Sequence, residues 1–165
     1  NGGGTSMAGD TLLSYIAKTP FMQYEKVWTK VTPITQRLAR RKYEQGVNFY
    51  IIDKMTQPQA DAAQRFSGKV WVLINHHSFS AAASFAWTVK AFSIGTLVGE
   101  EAGGMNISYG DVVGYALPHS KLQLSISFKR FWLFGADENN IHGALPDINV
   151  ESSKALESVL KKISY

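Results

Sequence analysis

Cysteine is missing from all 165 residues, which excludes a disulfide framework and a thiolate metal site and leaves the redox compartment open. No apolar run is long enough to cross a bilayer, so no integral membrane segment is expected. The four histidines are not spaced with carboxylates as a zinc site such as H-E-x-x-H requires, so neither a metal nor another cofactor is expected. A secretory leader is also lacking. The chain starts abruptly on Asn1-Gly2-Gly3-Gly4, however, as though clipped from a longer protein, and the missing leader then carries no message about the parent.

What is present is ordinary for one globular domain with a sizeable core: 45% hydrophobic and 18% charged residues. The net charge of +4 could suggest an acidic partner, with Arg37, Arg40, Arg41 and Lys42 as its focus. Those residues sit in ITQRLARRKYEQ, which reads as a surface helix with a solvated basic face. No nucleic-acid motif accompanies them, so no nucleic-acid partner is expected.

The chain is organised around residues 69–105. Val70, Trp71, Val72, Leu73 and Ile74 form an unbroken apolar run rich in β-branched residues, which suits a parallel strand covered on both faces. Asn75 ends it and residues 76–79 make a turn. Ser80 then opens AAASFAWTVKAF, whose alanines favour helix and whose Phe85, Val89 and Phe92 fall at helical spacing. A serine at a helix head has two readings. It can be an N-cap, its hydroxyl accepting from the first turn. Alternatively, the unpartnered first N–H groups and the helix dipole can stabilise an oxyanion formed beside it, with the amide of Ala81 as donor.

The wider pattern bears on that choice. V-x-V-L-I-N-x-x-x-F-S-A-A-x-x-F-A followed by G-T-L-V-G-E-E-x-G-G resembles the nucleophile region of the tail-specific, or C-terminal processing, serine peptidases. Downstream, Tyr115-Ala-Leu-Pro118 with Ser120-Lys-Leu-Gln-Leu124 resembles that family's paired strands, and His142-Gly-Ala-Leu-Pro-Asp147 its closing G-x-x-P-D segment. Asn1-Gly2-Gly3-Gly4 resembles the end of its D-x-R-x-N-x-G-G motif, so the likeness covers nearly the whole chain.

The resemblance implies Ser80 as nucleophile, with the amides of Ala81 and Gly4 as oxyanion donors. Glycines 2–4 would also be free to present backbone amides to a substrate. One branch of the family pairs its serine with a lysine just after the glycine pair, and here that position is Met105, whose thioether cannot accept a proton. The other branch, exemplified by the tricorn protease core, takes its histidine from before the N-x-G-G loop, outside these residues. Its glutamate falls three residues before the glycine of G-x-x-P-D, at Asn140 here, with Glu138 two residues away. Asn140 could orient a histidine, and Glu138 could do so while also offsetting its charge. His76 or His77 could serve as a local base across the turn. His119 and His142 read as turn residues.

Elsewhere the expectations are structural. Residues 10–18 should form an amphipathic helix on Leu12, Leu13, Ile16 and Ala17. Residues 21–31 read as a strand closed by Pro33, and residues 47–52 as a further strand, with a break at 57–59 before a short helix. Residues 96–98 read as a strand. Residues 112–117 and 121–128 should pair antiparallel with one wet face, Leu122, Leu124 and Ile126 pointing inward, and residues 130–134 should add a third strand. The last helix, 152–163, should cover the sheet with Leu156, Val159, Leu160 and Ile163.

The expected architecture is α/β. The resemblance implies a crotonase or ClpP-like domain of repeated strand-strand-helix units, truncated at its N-terminus, with residues 1–165 as its C-terminal part. The leading function is a serine endopeptidase acting on polypeptide through an acyl-enzyme on Ser80. Alone, the fragment would be inactive for want of its base. The same fold also serves in retinoid-binding relatives, so a non-catalytic ligand- or peptide-binding module is the alternative. An acyl-CoA enzyme of the crotonase type would not explain F-S-A-A. The missing N-terminal half or a second copy of the chain could pair with the open sheet edge. A bacterial envelope or exported setting follows from family analogy.

Overall fold

The computed structural model describes residues 2–38 and 44–163. Asn1 and the basic positions Arg40, Arg41 and Lys42 lie outside the described residues.

In chain order the elements are α1 (Ser6–Ile16), β1 (Tyr24–Val31), α2 (Pro33–Leu38), β2 (Gly46–Ile51), β3 (Trp71–Ile74), α3 (Ala81–Ala91), β4 (Thr96–Gly99), β5 (Ile107–Ala116), β6 (Gln123–Leu133), β7 (Ile148–Asn149) and α4 (Ala155–Ile163). Single 3-10 turns, Ala62–Gln64 and Ser152–Lys154, precede β3 and α4. The strands form two sheets. One is parallel in the order β3-β4-β7 and the other antiparallel in the order β2-β1-β6-β5.

The parallel sheet is sandwiched, as its apolar runs require. Ile74 and Leu97 face a core shared with Leu13 of α1 and Ala83, Ala86 and Val89 of α3. Val98 faces the other way, onto Ala155 and Val159 of α4, with Trp71 beside them. Small residues on the inner side of α3 let that helix lie close to the strand it follows, so its head sits where β3 ends. The mixed α/β class expected from the sequence is the class observed, and helices do cover both faces of the short strands.

Four local expectations need correction. Pro33 opens a helix instead of only closing a strand: the amide of Thr35 donates to Thr32 Oγ1 at 3.2 Å and that of Thr32 to Thr35 Oγ1 at 2.7 Å, a reciprocal cap with proline in the first helical position. Residues 130–134 add no third strand, because β6 runs unbroken to Leu133 with its second half paired to both β5 and β1. Its first half pairs with β5 alone, so that end of the hairpin projects beyond β1 and leaves Leu122, Leu124 and Ile126 exposed. On α4, likewise, Ala155 and Val159 are the buried residues, whereas Leu156, Leu160 and Ile163 are exposed. The helix is turned from the orientation that apolar spacing alone suggests. Among the described residues no helix is long and apolar enough to cross a membrane.

Candidate active site

Ser80 sits between the turn after β3 and the first residue of α3 with φ 54° and ψ −128°. An N-cap serine has extended backbone and a hydroxyl that accepts from the helix. Ser80 has neither, since its side chain makes no capping hydrogen bond. A non-glycine residue in this region carries strain of about 1–3 kcal/mol that its surroundings must hold in place. The result is an exposed serine on a sharp strand-to-helix turn, with the first amide of the helix, that of Ala81, lacking an intrahelical partner.

The turn is held by its own side chains. Asn75 Oδ1 accepts from the His77 amide at 3.0 Å, its carbonyl from the Ser78 amide at 2.8 Å, and its amide donates to Ser78 Oγ at 3.2 Å. Ser78 is buried. Its carbonyl accepts from the Gly104 amide at 3.2 Å, which fastens the glycine pair after β4 beneath the serine. Gly104 leaves no room for a side chain, because a Cβ there would lie 2.4 Å from Ala83 Cβ and 3.4 Å from the Ser80 nitrogen.

The first glycine loop closes the opposite side. Gly3 has φ +89°, and a Cβ on it would stand 2.6 Å from Ser80 Cβ and 3.0 Å from Ser80 Oγ. Gly4 follows at φ +151°. It lines, with Ser80 and Ala81, a cleft of about 300 Å³ whose other walls include Met105, Phe131 and Leu133. The structure therefore brings Ser80, Ala81 and Gly4 together, and Met105 beside them.

The remaining candidates are placed elsewhere. The ring centroids of His76 and His77 lie 3.9 Å apart with the rings tilted by 46°, and His76 Nδ1 lies 3.6 Å from Glu100; neither lines the cleft. His142 Nδ1 is 3.0 Å from Glu101 Oε1, which also accepts from the Gly143 amide at 2.9 Å. Glu138 accepts from Trp132 Nε1 at 3.0 Å and lies 3.5 Å from Arg130. Asn140 Oδ1 accepts from the His142 amide at 3.1 Å and its carbonyl from Asn106 Nδ2 at 2.8 Å. Neither Glu138 nor Asn140 reaches the cleft, and each shapes the loop that leads into β7.

Two charged residues that the sequence did not single out do line the cleft, Lys129 and Asp111, and they pair with each other at 2.6 Å. Asp111 has φ 49° inside β5. The only sequence signal for it was Gly110-Asp111 interrupting a strand pattern. The Lys129 ammonium is engaged by the carboxylate, so it is not a free amine poised over Ser80.

Asp147 of the G-x-x-P-D segment proves to be a clamp. It accepts from the Leu97 amide at 2.8 Å and from Lys90 Nζ at 2.8 Å, tying the start of β4 to the end of α3. Partial burial pushes its carboxyl up, but the Lys90 and Leu97 hydrogen bonds and the Lys90 charge outweigh this and hold it below its ordinary value of 3.8. A lowered carboxylate stabilises the fold above its unfolded pKa, and that contribution disappears as pH falls through the folded one. Asp147→Asn is expected to melt about 2–4 °C lower at pH 7, since a half-exposed pair is worth roughly 1 kcal/mol or less. The two melting curves should converge near pH 2, which a pH series of thermal melts will read.

The α/β scaffold thus presents a strained serine at a helix head, between two glycine loops. The profile of peptidase family S41 matches residues 1–150, and the chain belongs to that family. No curated protein sequence matches it. Among solved structures it is similar to mature CPAF complexed with lactacystin, at TM-score 0.68 and 16% identity over 99% of this chain and 41% of that one. It is also similar to the photosystem II D1 C-terminal processing protease, at TM-score 0.55 and 17% identity over 98% of this chain and 36% of that one. The chain thus spans about two fifths of the length of these relatives.

Proposed function

We propose that these residues are the nucleophile-bearing, C-terminal part of a tail-specific serine endopeptidase built on the crotonase or ClpP-like fold. The observation that carries the reading is the backbone of Ser80, strained at a helix head without a capping bond and overlain by Gly3. Strain of this kind persists where it serves a site. In the proposed reaction Ser80 Oγ bonds to the scissile carbonyl carbon and its proton passes to a general base. The amides of Ala81 and Gly4 hold the oxyanion. The amide C–N bond then breaks, the amine leaves with the proton, and water releases the acyl group from Ser80. No imidazole lines the cleft among the described residues, and the base is assigned to a part of the parent protein beyond these 165 residues. An exported or envelope setting remains part of the same proposal.

A binding module is the second reading, favoured by one observation: Met105, at the position where one branch of the family has its lysine, puts a thioether on the cleft wall. Fluorophosphonate labelling of the full-length protein separates the two. The expected result is a single labelled peptide containing Ser80, with labelling lost by at least 1,000-fold in Ser80→Ala, since removal of a nucleophile costs that much or more. A folded parent that takes no label would leave the binding module as the better account.

A further inference from the structure

The oxyanion site assigned above is made from two helices that are not neighbours in sequence. Gly3 and Gly4 lead directly into α1, and Ser80 and Ala81 open α3. Apolar packing of Leu13, Ala83, Ala86 and Val89 presses the helices together, but such contacts are non-directional and tolerate sliding. A device that fixes one head against the other is therefore needed, and a buried amide provides it.

Gln23, in the segment between α1 and β1, is only 3% exposed. Its Nε2 donates to the Ser6 carbonyl at 2.8 Å and to Asp10 Oδ1 at 2.7 Å, both on α1. Its Oε1 accepts from Ser84 Oγ at 2.9 Å, one turn beyond Ser80 on α3. The Tyr24 hydroxyl donates to Ser84 Oγ at 3.2 Å, and the Gln23 carbonyl accepts from the Phe134 amide at 3.1 Å. The amide's orientation is dictated by its partners, because turning it over would set its carbonyl against two acceptors. Among uncharged side chains only a primary amide donates twice and accepts at once, and only glutamine's reach spans the gap here. Gly9 completes the fit, since a Cβ on it would lie 3.2 Å from Gln23 Nε2.

We propose that Gln23 is a positioning residue for the Ser80 site: it holds the head of α1, and with it the Gly3-Gly4 loop, in register with the head of α3. It touches neither substrate nor Ser80, and it acts by keeping the two sources of oxyanion donors at a fixed separation. An error of about 1 Å in that separation is enough to cost about 100-fold in rate. The inference rests on the peptidase reading for its catalytic consequence, but the geometric part stands apart from it.

The test compares Gln23→Met, which keeps the volume and removes the hydrogen bonds, with Val159→Ala, which thins the core on the opposite face of the sheet. In the full-length protein, fluorophosphonate labelling at Ser80 is resolved into KI and kinact, and amide hydrogen exchange is followed over residues 2–8 and 80–84. Gln23→Met is expected to lower kinact at least tenfold with KI within about twofold, and to speed exchange in both segments at least tenfold. Val159→Ala should leave both unchanged even where it melts lower. Gln23→Glu should be as slow as Gln23→Met, because two carboxylates then face each other, and adding Asp10→Asn should recover at least threefold by returning a donor to the pair. Wild-type kinact and exchange in Gln23→Met would overturn the proposal and reduce Gln23 to a structural role. If the wild-type protein takes no label, the peptidase reading fails by itself, and the exchange comparison still decides whether Gln23 fixes the loop on Ser80.

Discussion

Gly3→Ala is expected to silence Ser80, lowering its labelling rate by about 100-fold or more while the melting temperature stays within a few degrees of wild type. The added methyl would enter space already held by the Ser80 side chain, 2.6 Å from Ser80 Cβ, 3.0 Å from Ser80 Oγ and 2.9 Å from the Phe79 carbonyl. Position 3 also has φ +89°, where an L side chain costs roughly 1–2 kcal/mol. The loop is exposed and precedes the first helix, so it can swing away without opening the core, and the damage falls on the site. Gly2→Ala is the matched control, since nothing lies within 4 Å of a Cβ there. Labelling rates for the two variants, with thermal melts beside them, make the comparison. A wild-type rate in Gly3→Ala would mean that the loop is not seated on Ser80 in solution.

The elements nearest Ser80 were legible because short-range chemistry decides them. A run of five apolar residues, a polar turn and an alanine-rich helix leave few alternatives, and β3, α3 and β4 all appear within a residue or two of their expected bounds. Ambiguity began where burial depends on distant partners. The alternation of Leu122, Leu124 and Ile126 is real, yet among the described residues no layer packs on that end of the hairpin, and its apolar face is exposed. The role of Ser80 was not decidable locally, because capping and catalytic serines share a sequence pattern and differ in φ and in what overlies the hydroxyl. The Ala81 amide was a candidate from its place at the helix head, whereas Gly4 was reachable only through motif likeness. Gln23 carried no signal, since a lone glutamine before a strand says nothing about two helices that meet around it. Lys129 and Asp111 were hidden for the same reason, being brought together by strand register.

Trading a methyl group across one contact gives the second large effect. Gly104→Ala puts a Cβ 2.4 Å from that of Ala83 and 3.4 Å from the Ser80 nitrogen, and Ala83 is buried in the core of α3 with no rotamer to yield. Overpacking of this kind costs about 1–3 kcal/mol, a melting shift of roughly 3–10 °C for a chain of this size. Because the push is directed at the first turn of α3, labelling of Ser80 should fall at least tenfold as well. Ala83→Gly alone should cost about 1 kcal/mol through helix propensity. In the double variant the alanine at 104 occupies the space vacated at 83, so its stability is expected to return to that of Ala83→Gly, with most of the labelling rate regained. The cycle then gives a favourable coupling of about 1–3 kcal/mol. Strict additivity would show that the glycine pair does not bear on α3. Coupling in both stability and labelling would locate the demand for glycine at 104 in the contact that sets the height of Ser80 above its own helix.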